Sequence, residues 1–138
     1  MATLKTNTLT GTSTAGSIAV TGEGNSTTTN LQQGLCKAWS QFDGTDASAS
    51  ARDSFNVSSM SDNSTGNHTV TYNNDFASTN TLTASGNGGQ FSGASGNNVF
   101  IFHKTIATGS IIVQVQVASS GSNADQTYIC HLAHGDLA

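Results

Sequence analysis

The sequence predicts an all-β chain: an antiparallel sandwich or small barrel of about seven to nine strands, preceded by an extended N-terminal arm. Three observations carry this expectation. In "SIIVQVQVAS" the alternation is strict, with Ile111, Val113, Val115 and Val117 facing one way and Gln114 and Gln116 the other, the pattern of a half-buried strand. Short runs rich in β-branched and aromatic residues recur along the chain, separated by clusters of Gly, Asn, Ser and Asp. No segment of ordinary helix length keeps a 3.6-residue period except "LQQGLCKAWSQF".

Residues 1–30, "MATLKTNTLTGTSTAGSIAVTGEGNSTTTN", mix single apolar positions with Thr, Ser and Gly. They read as an arm for attachment or assembly, with brief strand candidates at Leu4 to Leu9 and Ser17 to Thr21. The β domain is expected over residues 31–138. In "LQQGLCKAWSQF" a helical face (Leu31, Leu35, Ala38, Trp39, Phe42) competes with a strand over Leu35 to Phe42, and Gly34 together with the following "DGT" turn favours the strand. Leu35, Lys37 and Trp39 would then share one face, and Cys36, Ala38 and Ser40 the other.

"SFNVSSM" and "HTVTYNN" form the next pair, a hairpin with "SDNSTGN" as a long loop; Phe55 and Val57 would share a face, as would Val70 and Tyr72. Four further strands are expected in "TNTLTAS", "NVFIFHKTI", "SIIVQVQVAS" and "QTYICHLAH", with the Gly-rich "GNGGQFSGASGN" as a loop. The expected anchors of this fold are Trp39, Phe42, Phe55, Val57, Val70 and Tyr72. The chain's only tryptophan is spent just where the arm ends, and an aromatic ring buries roughly 150–250 Å².

Composition narrows the function. Ser, Thr, Asn and Gly make up nearly half of the 138 residues, and Leu, Ile, Val and Phe number only 26. The core is therefore thin, and copies of the chain or a larger assembly are expected to complete it. Disorder is disfavoured, since only 9% of residues are charged and Pro is absent. Four Lys and Arg cannot neutralise a row of phosphates, so no nucleic-acid partner is expected. Neither a signal segment nor a membrane-spanning run is readable, and no membrane partner is expected.

Candidate chemistry is sparse. His131 and His134 in "HLAH" are three apart, on opposite sides of a strand, and lack a third clustered ligand, so no metal is expected. His68 beside a turn and His103 in an apolar strand read as structural or surface groups. Asp43, Asp46 and Asp53 fit turn formation better than the acid pair of a glycosidase. "GASGN" is no nucleophile elbow, "GNGGQFSG" lacks the Lys of a phosphate loop, and no catalytic residue or cofactor is expected. Cys36 and Cys130 read as buried free thiols, with a disulfide left open because spacing does not show whether their Cα atoms approach.

"KAWSQFDGT" followed by "RDSFNVSSMSDNSTGNHTVTYNN", spanning Lys37 to Asn74, resembles a recurrent module of tailed-phage virion proteins, common in marine and cyanobacterial phages and described as tail-fibre-like. Its pattern is K-A-W-x-x-F-x-G-T, then R-x-S-x-N-V-S-S-x-x-D-N-x-T-G-x-x-T-V-x-F. A fainter echo runs through "LKTNTL" and "GDLA". Tyr72 stands where the pattern has Phe, and the Pro that usually follows the second strand is missing from "NNDFASTN". The resemblance implies a non-enzymatic virion component, homotrimeric, joined to capsid or tail proteins through its N-terminal segment as a fibre-type or decorating protein. The alternative is a receptor-binding tip for host attachment that recognises a cell-surface glycan, with Phe91, Asn97, Asn98 and Tyr128 as the ligand loop.

Overall fold

A computed structural model describes residues 3–11, 18–21, 27–89 and 98–138. The chain forms two compact units, residues 1–35 and 36–138.

In the first unit, strands β1 (Ala19–Thr21) and β2 (Thr28–Asn30) pair antiparallel, with Val20 opposite Thr29. A single helical turn, α1 (Leu31–Gly34), follows, capped by Asn30, whose Oδ1 accepts from the Gln32 and Gln33 amides at 2.8 and 3.2 Å. None of the described residues of this unit is buried. Leu4 to Leu9, expected as a strand, has no regular structure, and Ser17 lies outside the described residues.

The second unit is a β-sandwich of eight antiparallel strands, as its alternation predicts: β3 (Ala38–Phe42), β4 (Ala51–Phe55), β5 (Val57–Ser64), β6 (Asn67–Tyr72), β7 (Thr83–Gly89), β8 (Val99–Ile106), β9 (Ser110–Val117) and β10 (Tyr128–His134). One sheet runs β4-β3-β10-β7, the other β5-β6-β9-β8. The first and last strands of the unit are therefore neighbours, Phe42 lying opposite Ile129 and Ala38 opposite Ala133.

The core lies between the sheets. One contributes Ala38, Phe42, Ile129 and Ala133; the other contributes Val70, Tyr72, Ile111, Val113 and Val115; Phe76 and Leu82, from the β6–β7 connection, join them. Period-2 burial is clean on β6, β9 and β10. On β9 it follows the expected face through Ile111, Val113 and Val115, whereas Val117, at the strand end, is half-buried.

Three expectations are corrected. "SFNVSSM" is not one strand: Asn56 takes a left-handed backbone (φ 57), and the chain passes there from the β4 edge of one sheet to the β5 edge of the other. Phe55 and Val57 thus belong to different sheets. The loop expected at "SDNSTGN" is mostly strand, since β5 runs to Ser64 and β6 starts at Asn67. The turn is only Thr65–Gly66, with Gly66 at φ 66 and its amide held by Asp125 Oδ1 at 2.6 Å. Finally, the strand placed in "TNTLTAS" starts at Thr83 and continues through the Gly-rich segment to Gly89. Glycine suits this strand because the neighbouring β10 backbone and the other sheet both come close. A Cβ on Gly86 would lie 2.6 Å from Cys130 O and 2.9 Å from Ile101 Cγ2, and one on Gly88 would lie 3.2 Å from Ile101 Cδ1.

Candidate functional site

Two features of the sandwich stand apart from plain packing: apolar side chains on its outer faces and a set of histidines inside it.

The strand that begins after Lys37 sets the first. On β3 the side chains alternate, so Ala38, Ser40 and Phe42 point inward while Trp39 and Gln41 point outward. Trp39 and Phe42, expected together as anchors, lie on opposite faces: Phe42 is fully buried and Trp39 is half-buried on the outer face. In register with Trp39 are Phe55 on one side and Leu132 on the other, 53% and 38% exposed. Phe55 is therefore corrected from core anchor to surface residue. Of the other expected anchors, Val70 and Tyr72 are buried and Val57 packs against the core from its margin. The outer face of the other sheet carries Phe100 and Phe102 on edge strand β8, with the two rings 6.2 Å apart, while Ile106, opposite buried Ile111 at the end of β8 after a register shift, is 41% exposed. An edge strand with exposed apolar side chains is open to pairing or packing by a neighbour.

Of the expected ligand loop, Phe91 and Asn97 lie outside the described residues. Asn98 is exposed just before β8. Tyr128, at the start of β10, lines a shallow groove of about 350 Å³ with Ser85, Gly86, Asn87, Cys130 and Leu132. Hydrogen bonding to Cys130 raises the Tyr128 hydroxyl above its ordinary pKa. Cys36 and Cys130 are both free and half-buried rather than buried. Cys130 faces Gln41 on β3, while the Cys36 thiol donates to backbone oxygens of Ala38 and Ala133.

The acids of "DGTD" and "ARD" are engaged locally. Asp43 Oδ1 accepts from the Thr45 amide and hydroxyl at 2.9 and 2.6 Å, and its Oδ2 pairs with Arg52 Nη2 at 2.6 Å. The Thr45 hydrogen bonds, with Arg52 as a smaller contribution, hold the Asp43 carboxyl below its ordinary range. Arg52 also donates to Thr127 O at 2.6 Å, so one side chain ties the β3–β4 turn to the approach of β10. Asp46 caps the Ser48 amide and Asp53 the Ser54 amide.

Inside the sandwich the histidines were expected to be structural or surface groups, and nothing in the local spacing shows how they meet. His131, inward on β10, lies 3.1 Å by Nε2 from the Tyr72 hydroxyl on β6 and 3.1 Å by Nδ1 from His103 Nε2 on β8. Its ring stacks near Tyr72, with centroids 6.1 Å apart. Burial, reinforced by His103, pushes His131 down to about 3, and burial also lowers His103. His134 points outward, as odd spacing on a strand requires. His68 is fully buried against Phe42, with ring centroids 5.3 Å apart. Its two ring nitrogens lie 3.9 Å from Asp62 and 3.8 Å from Asp125 without a hydrogen bond. Desolvation outweighs the two carboxylates and lowers its pKa. Because the carboxylates sit at opposite ring nitrogens, the three groups do not converge on one ion. Among the described residues no group of three or more His, Cys, Asp or Glu side chains is placed to hold a metal.

No protein-family model, no curated protein and no solved structure matches this chain.

Proposed function

We propose that the chain is a structural component of a tailed-phage particle, a surface-exposed fibre-type or decorating protein that acts by packing against copies of itself and against capsid or tail proteins. The observation that carries this reading is the distribution of apolar side chains. The sandwich exposes Phe55 and Leu132 beside Trp39 on one sheet and Phe100, Phe102 and Ile106 on the other. In the first unit Leu4, Leu9, Val20 and Leu35 are 77%, 54%, 49% and 52% exposed. A chain with so few large apolar residues gains most from them when a neighbour covers them. The first thirty residues serve as the attachment segment and the sandwich as the body, assembled as a homotrimer. Resemblance of Lys37 to Asn74 to the tail-fibre-like module supplies the virion context.

The test is localisation on particles. Gold-labelled antibodies against the sandwich should decorate intact virions of a phage that encodes the chain, and deleting residues 1–30 should remove the label. Virions that never carry the protein would overturn the reading.

A second reading, a receptor-binding tip for a cell-surface glycan, is favoured by the Tyr128 groove, where an aromatic ring stands beside Asn87 and Ser85. It predicts that Tyr128→Ala leaves particle incorporation intact and lowers adsorption to host cells.

A further inference from the structure

His131 belongs to the β4-β3-β10-β7 sheet, whereas Tyr72 and His103 both belong to the other. The chain of contacts Tyr72–His131–His103 therefore crosses the space between the sheets twice, at 3.1 Å each time. A neutral imidazole has one donor and one acceptor nitrogen, so the three groups have only two consistent arrangements. In the first, the Tyr72 hydroxyl donates to His131 Nε2, and His131 Nδ1–H donates to His103 Nε2. Every interior proton then has an acceptor, and the remaining N–H, on His103 Nδ1, belongs to a half-buried residue of the edge strand. In the second, His103 Nε2–H donates to His131 Nδ1, and His131 Nε2–H donates to Tyr72 Oη. The Tyr72 proton is then left with no acceptor among the described residues, beside the edge-on ring of Phe76 with centroids 5.1 Å apart. A buried donor without a partner is costly, so the first arrangement holds when both histidines are neutral.

We propose that this chain is a proton-operated tie between the two sheets, in which one proton taken up at His103 reverses the direction of both hydrogen bonds. His103, as an imidazolium, has two N–H donors and no acceptor, so its Nε2 can only donate to His131 Nδ1. One proton enters from solvent. His103 ends with two ring protons, His131 keeps one but carries it on Nε2 rather than Nδ1, and Tyr72 keeps its own, now unpaired. A second proton, on His131, sets two N–H groups face to face and breaks the tie.

The surroundings make the tie sensitive. The groups beside it are the Cys36 thiol, near Tyr72, and the residues in register: Ser40 and Gly86 flanking His131, and Val113 opposite His103. No carboxylate contributes at either histidine. His68 contrasts with both, having Asp62 and Asp125 to receive a charge. Positive charge at the tie is thus uncompensated, and the two layers are held together less firmly as it accumulates.

Long-range proton–nitrogen NMR of the imidazole rings in the full chain tests this. At pH 7.5 His131 is expected to carry its proton on Nδ1. As the pH is lowered, its pattern should invert to the Nε2–H form with the same midpoint as the titration of His103. In His103→Leu the inversion should be lost, His131 keeping a single tautomer over the same range. A His131 that is already the Nε2–H tautomer at pH 7.5, or one whose tautomer ignores the His103 titration, would overturn the proposal.

Discussion

Asn56 grips Asn74 by both ends of its side-chain amide, Oδ1 accepting the Asn74 N–H at 2.8 Å and Nδ2 donating to Asn74 O at 3.1 Å. The contact fixes the corner at which the chain leaves one sheet for the other, and Asn56 holds a left-handed backbone there. Asn tolerates that conformation, while Ala adds its strain to the lost hydrogen bonds. Asn56→Ala is expected to cost about 2–3 kcal/mol in urea denaturation. Asn56→Gly should cost less, because glycine removes the strain but not the hydrogen-bond loss.

Phe42 and Trp39 separate packing from surface. Phe42→Ala opens a cavity in the core and should cost about 3–5 kcal/mol. Trp39→Ala, on the half-buried outer face, should cost less than half as much in dilute solution. Equal losses would mean that the outer face is covered even in the monomer.

Gly86 and Gly89 differ in what surrounds them. Gly86→Ala drives a Cβ against the Cys130 carbonyl, a backbone atom that cannot rotate away, and should cost about 1–3 kcal/mol. Gly89→Ala meets nothing within 4 Å and should be near neutral. Thermal melts of the two variants side by side check the contrast.

The buried histidines set the acid response. In the unfolded chain a histidine titrates near 6.5; folded His131 titrates at about 3. Between those values the unfolded state holds the extra proton, so stability is complete above about pH 6.5 and declines as the pH falls toward 3. The slope from His131 alone is about 1.4 kcal/mol per pH unit. His103 and His68, also lowered, steepen the decline, and Asp43 adds to it only in the more acidic carboxylate range. Urea midpoints measured from pH 7.5 to 5 should fall, and His131→Gln should flatten the curve. Midpoints independent of pH over that range would contradict the assignment.

The all-β class was legible because the alternation in "SIIVQVQVAS" and the turn clusters are local signals, and local signals determine strands. The same locality explains what was missed. A single left-handed Asn56 reads as part of a strand unless Asn74, eighteen residues on, is known to hold it. The glycines of "SGNGG" look like a loop because what Gly86 and Gly88 make room for, Ile101 of the opposing sheet, is a tertiary contact. Trp39 reads as an anchor because large aromatic rings usually are. Yet its parity with Phe42, three residues apart on a strand, already put the two on opposite faces. The meeting of Tyr72, His103 and His131 has no local signature at all, since it depends on which strands face each other.

Light scattering of the full-length chain over a range of concentrations tests most directly whether this protein acts by assembling with itself. A mass of three chains, lost in a variant carrying Phe55→Ser and Leu132→Ser that keeps its sandwich fold, is the predicted result. A monomer at every concentration, with or without the two substitutions, would contradict the account.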